Sequence, residues 1–378
     1  MRYKNATRHE KTAILDEFCA TYKCHRKHAI RVLKRFKRFT KPKPKKRGPK
    51  PTYRKDEIIR KDEIITPLKR IWLAANLPCS KRLKVMLPIW LPGYVELFGG
   101  LSVEVTNALL KISPPTIDRI LSPIRFHYTK RGRSTTKPGT LLRKQIPIKT
   151  NQWDESRPSF LEADTVAHCG DSTSGMYANT IDFVDIATGW TEQRAVWGKG
   201  ETGVLEQIKN IEKILPFPIL GFDCDNGGEF LNYHLLRHFT ERKQPVQFTR
   251  SRAYHKDDNA HIEQKNWTRI RQWIGYDRLD NPNVVSPLNN LYTKEWRLFH
   301  NFFCPSVKLI AKERVGSKTI KHHDPPKTPY QRIIESPHIH ESVKLSLSKQ
   351  LENLNPFLLR RTMDKKMKKI FSINNKPG

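Results

Sequence analysis

Three carboxylates stand where the chain can bring them together: Asp164, Asp225 and Glu263. Asp164 lies inside an alternating segment, 160–168, that reads as a β-strand. Asp225 directly follows an apolar run, 219–224, that reads as another strand, and Glu263 lies within a helical stretch, 257–274. Carboxylates gathered at one edge repel each other unless cations sit between them. Hard oxygen ligands, few in number and completed by phosphates, describe a Mg²⁺ or Mn²⁺ site. Two such ions about 3.5–4 Å apart hold the attacking and leaving oxygens of an in-line phosphoryl transfer. Nearby groups have simpler readings. Glu162 and His168 share the strand face of Asp164, and Asp223 shares that of Asp225. A structural histidine and a hydrogen-bonding Asp223 are the expectation, and Glu229 is expected to bond near a helix start rather than coordinate metal. The bland alternatives for the triad are a coincidence of surface acids and an inactive fold kept only for binding.

The elements that must position these groups follow in order. Strands are expected at 160–168, 177–186 and 190–196, then a helix at 201–215 and a strand at 219–224. A helix at 230–242, a short strand at 246–249 and the helix at 257–274 complete a βββ-α-β-α-β-α order, an α/β sandwich around a mixed sheet. Gly227 and Gly228 allow a tight strand-to-helix turn after Asp225. Asn266 lies three residues beyond Glu263 and shares its helix face, so its amide can meet a phosphate or hold a ligand. Lys265 and Arg269 are candidate phosphate contacts, against the plain reading of surface charges.

Charge is distributed unevenly around this centre. The 378-residue chain carries 70 Lys+Arg against 37 Asp+Glu, a formal charge of +33. Residues 1–50 hold eighteen Lys/Arg and three acids, whereas residues 158–275 hold thirteen Lys/Arg and sixteen acids. A basic shell around a nearly neutral, carboxylate-bearing middle suits a protein that holds a polyanion while metal chemistry is done on it. A solubilising surface or a general RNA binder is the competing account of charge alone. No apolar run reaches the ~20 residues that span a bilayer; the longest, 85–101, is interrupted by Pro88, Pro92, Gly93 and Glu96. The basic N-terminus lacks the apolar core of a signal peptide. The six cysteines never form a CxxC pair, which points to reduced thiols and a cytoplasmic setting. Cys19, Cys24, His25 and His28 invite a zinc reading, but the adjacency of Cys24 and His25 does not fit finger spacing.

The flanks read as DNA-binding units. A helix at 8–20, a polar break at 21–24 and a second amphipathic helix carrying Ala29, Ile30, Leu33 and Phe36 form a helix-turn-helix pattern. Arg26, Lys27, Arg31 and Lys34 are its candidate DNA contacts, and an ordinary helical hairpin is the alternative. The proline-rich basic run 40–51 excludes a helix, and Arg47-Gly48-Pro49 looks like an extended arm for a narrow minor groove or a plain linker. The hexapeptide RKDEII occurs twice in succession, at 54–59 and 60–65. A helix at 101–112, the break Ser113-Pro114-Pro115-Thr116 and a helix carrying Ile117, Ile120, Leu121 and Ile124 form a second, less basic pair, with Arg119 as its candidate contact. A helical segment from Pro282 to Phe303, a hairpin pairing 307–314 with 319–323, and basic helices follow. The expected layout is a helix-turn-helix (1–39), a basic linker (40–53), a second helical domain (54–128), a linker (129–152), a catalytic core (153–280) and a small basic C-terminal domain (281–378).

These motifs carry a resemblance. Asp225-Asn226-Gly227-Gly228-Glu229-Phe230 resembles the second-aspartate motif of retroviral integrases and bacterial insertion-sequence transposases, and Tyr254 to Asn266 (YHKDDNAHIEQKN) resembles their third motif. Asp164, in Leu161-Glu162-Ala163-Asp164-Thr165, matches the first, and 37 residues separate Asp225 from Glu263, close to the customary gap. Ala260 departs from the glycine that many relatives place after Asp-Asn, which bears on the loop geometry. The likeness spans about residues 155–275; the leading helical pair and Trp296 to Pro329, with Tyr330-Gln331-Arg332, share it less specifically. It implies a multidomain protein with N-terminal all-α helix-turn-helix units and an RNase H-like α/β core. It further implies two Mg²⁺ (or Mn²⁺) ions held by Asp164, Asp225 and Glu263. The expected activity is DNA strand cleavage and strand transfer at insertion-sequence ends by a homo-oligomer on double-stranded DNA, in the bacterial cytoplasm with the nucleoid. A structure-specific nuclease on the same fold and a catalytically silent DNA-binding regulator are the alternatives.

Overall fold

The computed structural model describes residues 2–35, 61–125, 157–224, 227–250, 266–315 and 318–375. The chain divides into two compact units, Met1–Ile58 and Ile59–Gly378.

In the first unit α1 (Arg2–Asn5) precedes α2 (Arg8–Tyr22) and α3 (Arg26–Arg35). A capping box starts α2: the Thr7 hydroxyl accepts from Glu10 N, and the Glu10 carboxylate accepts from Thr7 N at 2.7 Å. Lys23, in the left-handed region at φ 45°, ends it. Leu15 and Ala29 are the buried apolar residues between the helices, and Arg26 pairs with Asp16 across the turn.

The second unit begins with α4 (Lys61–Ala74), α5 (Ser80–Phe98), α6 (Val103–Lys111) and α7 (Pro114–Arg125). The second RKDEII copy supplies the acidic first turn of α4, Asp62 and Glu63, which suits the positive end of the helix dipole. The first copy lies outside the described residues. Pro88 and Pro92 sit inside α5 without ending it.

A five-stranded sheet follows, built from β1 (Phe160–Ala167), β2 (Ala178–Asp185), β3 (Thr191–Trp197), β4 (Gly221–Cys224) and β5 (Gln247–Arg250) in the order β3-β2-β1-β4-β5. β1 is antiparallel to β2 and parallel to β4, β2 is antiparallel to β3, and β4 is parallel to β5. The sheet is therefore mixed, as the order of segments predicts. The parallel crossovers need connecting helices, and α8 (Glu201–Glu212) and α9 (Tyr233–Thr240) supply them. Strand alternation sorts the side chains. Leu161, Ala163, Ile181, Phe183, Phe222, Cys224 and Phe248 form one apolar face, on which Phe222 meets the rings of Phe230 and Phe239.

A π-helical turn, Asn266–Arg271, runs into α10 (Gln272–Ile274). After Pro282 the helical run continues through α11 (Val285–Leu291), a π-helical turn at Tyr292–Trp296 and α12 (Arg297–Phe303). This run closes the edge of the sheet. Asn289 Oδ1 accepts from Ala195 N at 2.7 Å and its Nδ2 donates to Ala195 O at 2.9 Å. Asn301 does the same for Thr191, at 2.9 and 2.8 Å. Two side-chain amides thus take the place of a neighbouring strand on β3 and protect an otherwise open edge.

β6 (Leu309–Val315) and β7 (Lys318–His323) form the hairpin, followed by α13 (Pro329–Glu335), α14 (Glu341–Glu352) and α15 (Pro356–Asn374). Residues Ile59–Gly378 form one compact unit, in which α5 packs against α12 and α15. Trp90 Nε1 donates to Phe303 O at 3.1 Å, and its ring meets Phe299 and Phe357 edge-on. Asn355 Nδ2 donates to Gly93 O at 3.1 Å, at a point where a Cβ on Gly93 would stand 3.0 Å from Pro356 Cδ. The glycine lets the two helices meet backbone to side chain. No helix among the described residues is long and apolar enough to cross a membrane.

Candidate active site

Opposite its apolar face the sheet is polar. Glu162, Asp223 and Thr249 form one cross-strand row, and Asp164, Asp182 and Gln193 form the next. Burying such a row costs free energy unless each group is hydrogen-bonded. The Thr249 hydroxyl donates to Asp223 Oδ1 at 2.5 Å, so Asp223 has the hydrogen-bonding role read from the sequence. Gln193 Nε2 and Thr191 Oγ1 donate to Asp182 Oδ1 at 2.6 and 3.1 Å. Asp182 is fully buried directly across from Asp164. Sequence reasoning missed it; the signal was the alternation of β2, combined with a register that only pairing reveals.

Asp164, in the middle of β1 and half-buried, accepts from Thr165 N at 2.7 Å through Oδ1 and from Asn266 Nδ2 through Oδ2. Asn266 is the first residue of the π-helical turn. A second tie holds this turn to the same strand, where Arg271 Nη2 donates to Ala167 O at 2.7 Å. Asn266 therefore touches the carboxylate of Asp164, one of the three acids singled out from the sequence. On the other side of Asp164, Ala163 pairs with Cys224, the last described residue of β4. Asp225 and Glu263 lie outside the described residues, as do Arg47 and Lys265.

Among the described residues no group of three or more His, Cys, Asp or Glu side chains gathers as a metal site. The described part of the site nonetheless has the donor chemistry of a hard cation. The Asp164 carboxylate is joined by Asn266 Oδ1, an oxygen that is buried and makes no hydrogen bond.

The remaining candidates separate into surface and core. Arg26, Lys27 and Arg31 are exposed on α3, whose residue 34 is the lysine also singled out, Lys34. Arg119 is exposed on α7, with its guanidinium on Thr116 Oγ1 and Pro115 O. Arg269 is a correction: it is 4% exposed and donates to His300 Nδ1 at 2.7 Å and to the carbonyls of His300 and Cys304. It is a buried structural cation rather than a surface phosphate contact. His168 is also structural. Its Nε2 shares a 2.7 Å hydrogen bond with Thr180 Oγ1, which bonds Tyr292 Oη at 2.8 Å. Burial, with the Arg271 charge adding to it, holds its imidazole down to about 3, so the ring is neutral. Glu229 pairs with Lys199 at 2.5 Å, while its carbonyl accepts from Asn232, the cap of α9. Gly227 O accepts from Phe230 N and Leu231 N in the turn that leads there.

The class defined by these features is an α/β protein with a carboxylate centred on one polar sheet face. No family model matches the chain. It is 38% identical over 336 residues to the uncharacterized protein y4rM of Sinorhizobium fredii, an overlap covering 88% of this chain and 91% of that protein. The chain belongs to the same family as y4rM. Among solved structures it is similar to the catalytic core domain of BIV integrase, at 14% identity and TM-score 0.29, over 48% of this chain and 96% of that one. It is also similar to a chain of the simian T-cell lymphotropic virus intasome in complex with the PP2A regulatory subunit B56 gamma. There the identity is 11% and the TM-score 0.31, over 64% of this chain and 73% of that one.

Proposed function

We propose that this chain is a DDE transposase of the bacterial insertion-sequence type, which cuts element ends and joins them to target DNA. The observation that carries the reading is the contact of Asn266 with Asp164. In the sequence Asn266 follows Glu263 by three residues, and Asp225 follows directly on Cys224, whose strand pairs with that of Asp164. Asp164, Asp225 and Glu263 would hold two Mg²⁺ or Mn²⁺ ions in an RNase H-like core. When bound, such ions neutralise charge on the attacking and leaving oxygens of an in-line phosphoryl transfer.

The chain's own part is positioning. Asn266 Nδ2 and Thr165 N fix the orientation of the Asp164 carboxylate, and Arg271 ties the π-helical turn to β1. Water serves as nucleophile for cleavage and a DNA 3′-hydroxyl for joining. No serine, tyrosine or cysteine has to form a covalent link to DNA. The basic flanks, with exposed Lys27 and Arg31 on α3 and Arg119 on α7, supply phosphate affinity for a homo-oligomer on the element ends.

The test uses a pre-cut element end, taken from the terminal repeats flanking the gene, with plasmid DNA and Mg²⁺ or Mn²⁺. The wild type inserts the end. Glu263→Gln keeps nearly the same volume but removes a ligand charge, so it loses both cleavage and joining while still binding DNA. Joining by the variant at the wild-type rate removes Glu263 from the mechanism. A wild type that cleaves without joining is a nuclease, and one that binds without cleaving is a regulator.

A further inference from the structure

A solvent-open cleft of about 300 Å³ lies between the α4–α5 corner and residues 268–273 and 300–306. Its wall is built from both sides. Asn76 and Leu77, each at φ 61°, form the corner after α4, and Cys79 begins α5 without any side-chain cap. Arg269 and His300 close the inner wall, three residues along the chain from Asn266 in the case of Arg269.

The charge in this cleft is one-sided. Arg82 and Arg269 both line it, and among the described lining residues there is no Asp or Glu. Arg269 is almost wholly buried, yet its partners are neutral: a histidine ring nitrogen and two backbone carbonyls. A buried guanidinium with no carboxylate hydrogen-bonded to it is costly, because carbonyl dipoles replace only part of the lost hydration. The second cation makes this worse. Burial first, and then the nearby Arg82 charge, hold the Arg269 guanidinium below its ordinary value, against the opposing pull of Cys304 and of the Asp182 carboxylate. A neutral solvent pocket has no use for this arrangement; an anion would complete it.

We infer that the cleft between the α4–α5 corner and Arg269 is a phosphate subsite, which takes a backbone phosphate of the DNA strand that passes the Asp164 site. The inference deepens the proposed function and rests on it for the identity of the polyanion. Arg82, half-buried in the cleft wall, supplies the direct contact, and Arg269 supplies fixed charge behind it. The cleft has room for a phosphate with its adjoining sugar.

The experiment measures binding of the full-length protein to a fluorescently labelled DNA duplex, by anisotropy across a range of salt. Arg82→Ala is compared with Arg82→Lys and with Lys294→Ala, which removes an exposed charge elsewhere in the same unit. Losing one phosphate contact should weaken binding about tenfold and lower the magnitude of the log–log salt slope by about 0.9. Lys at this position should restore most of the affinity, and Lys294→Ala should change little. A second arm follows thermal unfolding with added inorganic phosphate, which should stabilise the wild type more than Arg82→Ala. Arg82→Ala that binds DNA with the wild-type affinity and slope, or weakens no more than Lys294→Ala, overturns the subsite. A wild type that binds no DNA but is stabilised by phosphate through Arg82 keeps the subsite and overturns the DNA reading.

Discussion

The two faces of the central sheet are held by different physics. On one, Phe183, Phe222 and Phe248 pack against Phe230 and Phe239, with ring centroids 4.7–6.3 Å from that of Phe222. Attraction there is non-directional, and it grows with the apolar area removed from water. On the other, Asp164, Asp182 and Asp223 each meet particular donors: Asn266, Gln193 with Thr191, and Thr249. A directional network costs more to bury but fixes the position of each carboxylate. The contrast teaches where chemistry can reside. A face that only needs area tolerates any side chain of the right volume, whereas a face that must orient oxygens needs particular groups at particular positions.

Substitutions on the two faces sharpen the contrast. Phe222→Ala leaves a void among four phenyl rings and should lower the free energy of unfolding by about 3–5 kcal/mol in a urea titration. Thr249→Val keeps shape but removes the donor to a buried carboxylate, and should cost less, about 1.5–3 kcal/mol. The reverse ranking would mean that the polar face, not the phenyl cluster, dominates stability.

A smaller effect is readable in pH. His168 titrates near 3 in the fold against about 6.5 unfolded, so the unfolded chain binds the extra proton between those values. Its contribution is present above about pH 6.5 and is lost as pH falls toward 3, by about 1.4 kcal/mol per pH unit. Asp185 has the opposite sign. Burial pushes its carboxyl up to about 6 despite hydrogen bonds from Thr188 and Ser159, so its contribution is lost as pH rises from 3.8 through 6. The two nearly cancel across that window. His168→Gln should uncover the Asp185 dependence, with stability falling from pH 4 to 6; a profile parallel to the wild type would rule out the neutral buried histidine.

The legible and illegible parts of this molecule divide by sequence distance. The strand carrying Asp164 and the crossover helices announce themselves through local periodicity, and the mixed sheet follows from their order. Register does not. Asp182 faces Asp164 only because β1 and β2 pair antiparallel, and no single strand displays that. Arg269 reads locally as one more cation on a basic helix; its burial depends on His300 and Cys304, 31 and 35 residues away. The segment after 281 reads as a separate basic domain because its solvent side is charged. Asn289, Asn301 and Asn355 bind it to β3 and α5 through side-chain-to-backbone hydrogen bonds that no periodicity encodes.

Metal binding tests whether Asp164 acts as one unit with Asp225 and Glu263, without requiring a DNA substrate. Mn²⁺ is titrated into the full-length protein while the electron paramagnetic resonance signal of the free aqueous ion is followed. The wild type should deplete that signal. Asp164→Asn, Asp225→Asn and Glu263→Gln should each lose most of the depletion, because every one removes an oxygen ligand charge from the same ions. His168→Gln, on the same strand face but bonded to Thr180, should bind Mn²⁺ as the wild type does. Retention of wild-type Mn²⁺ binding by any one of the three carboxylate variants would contradict a shared site.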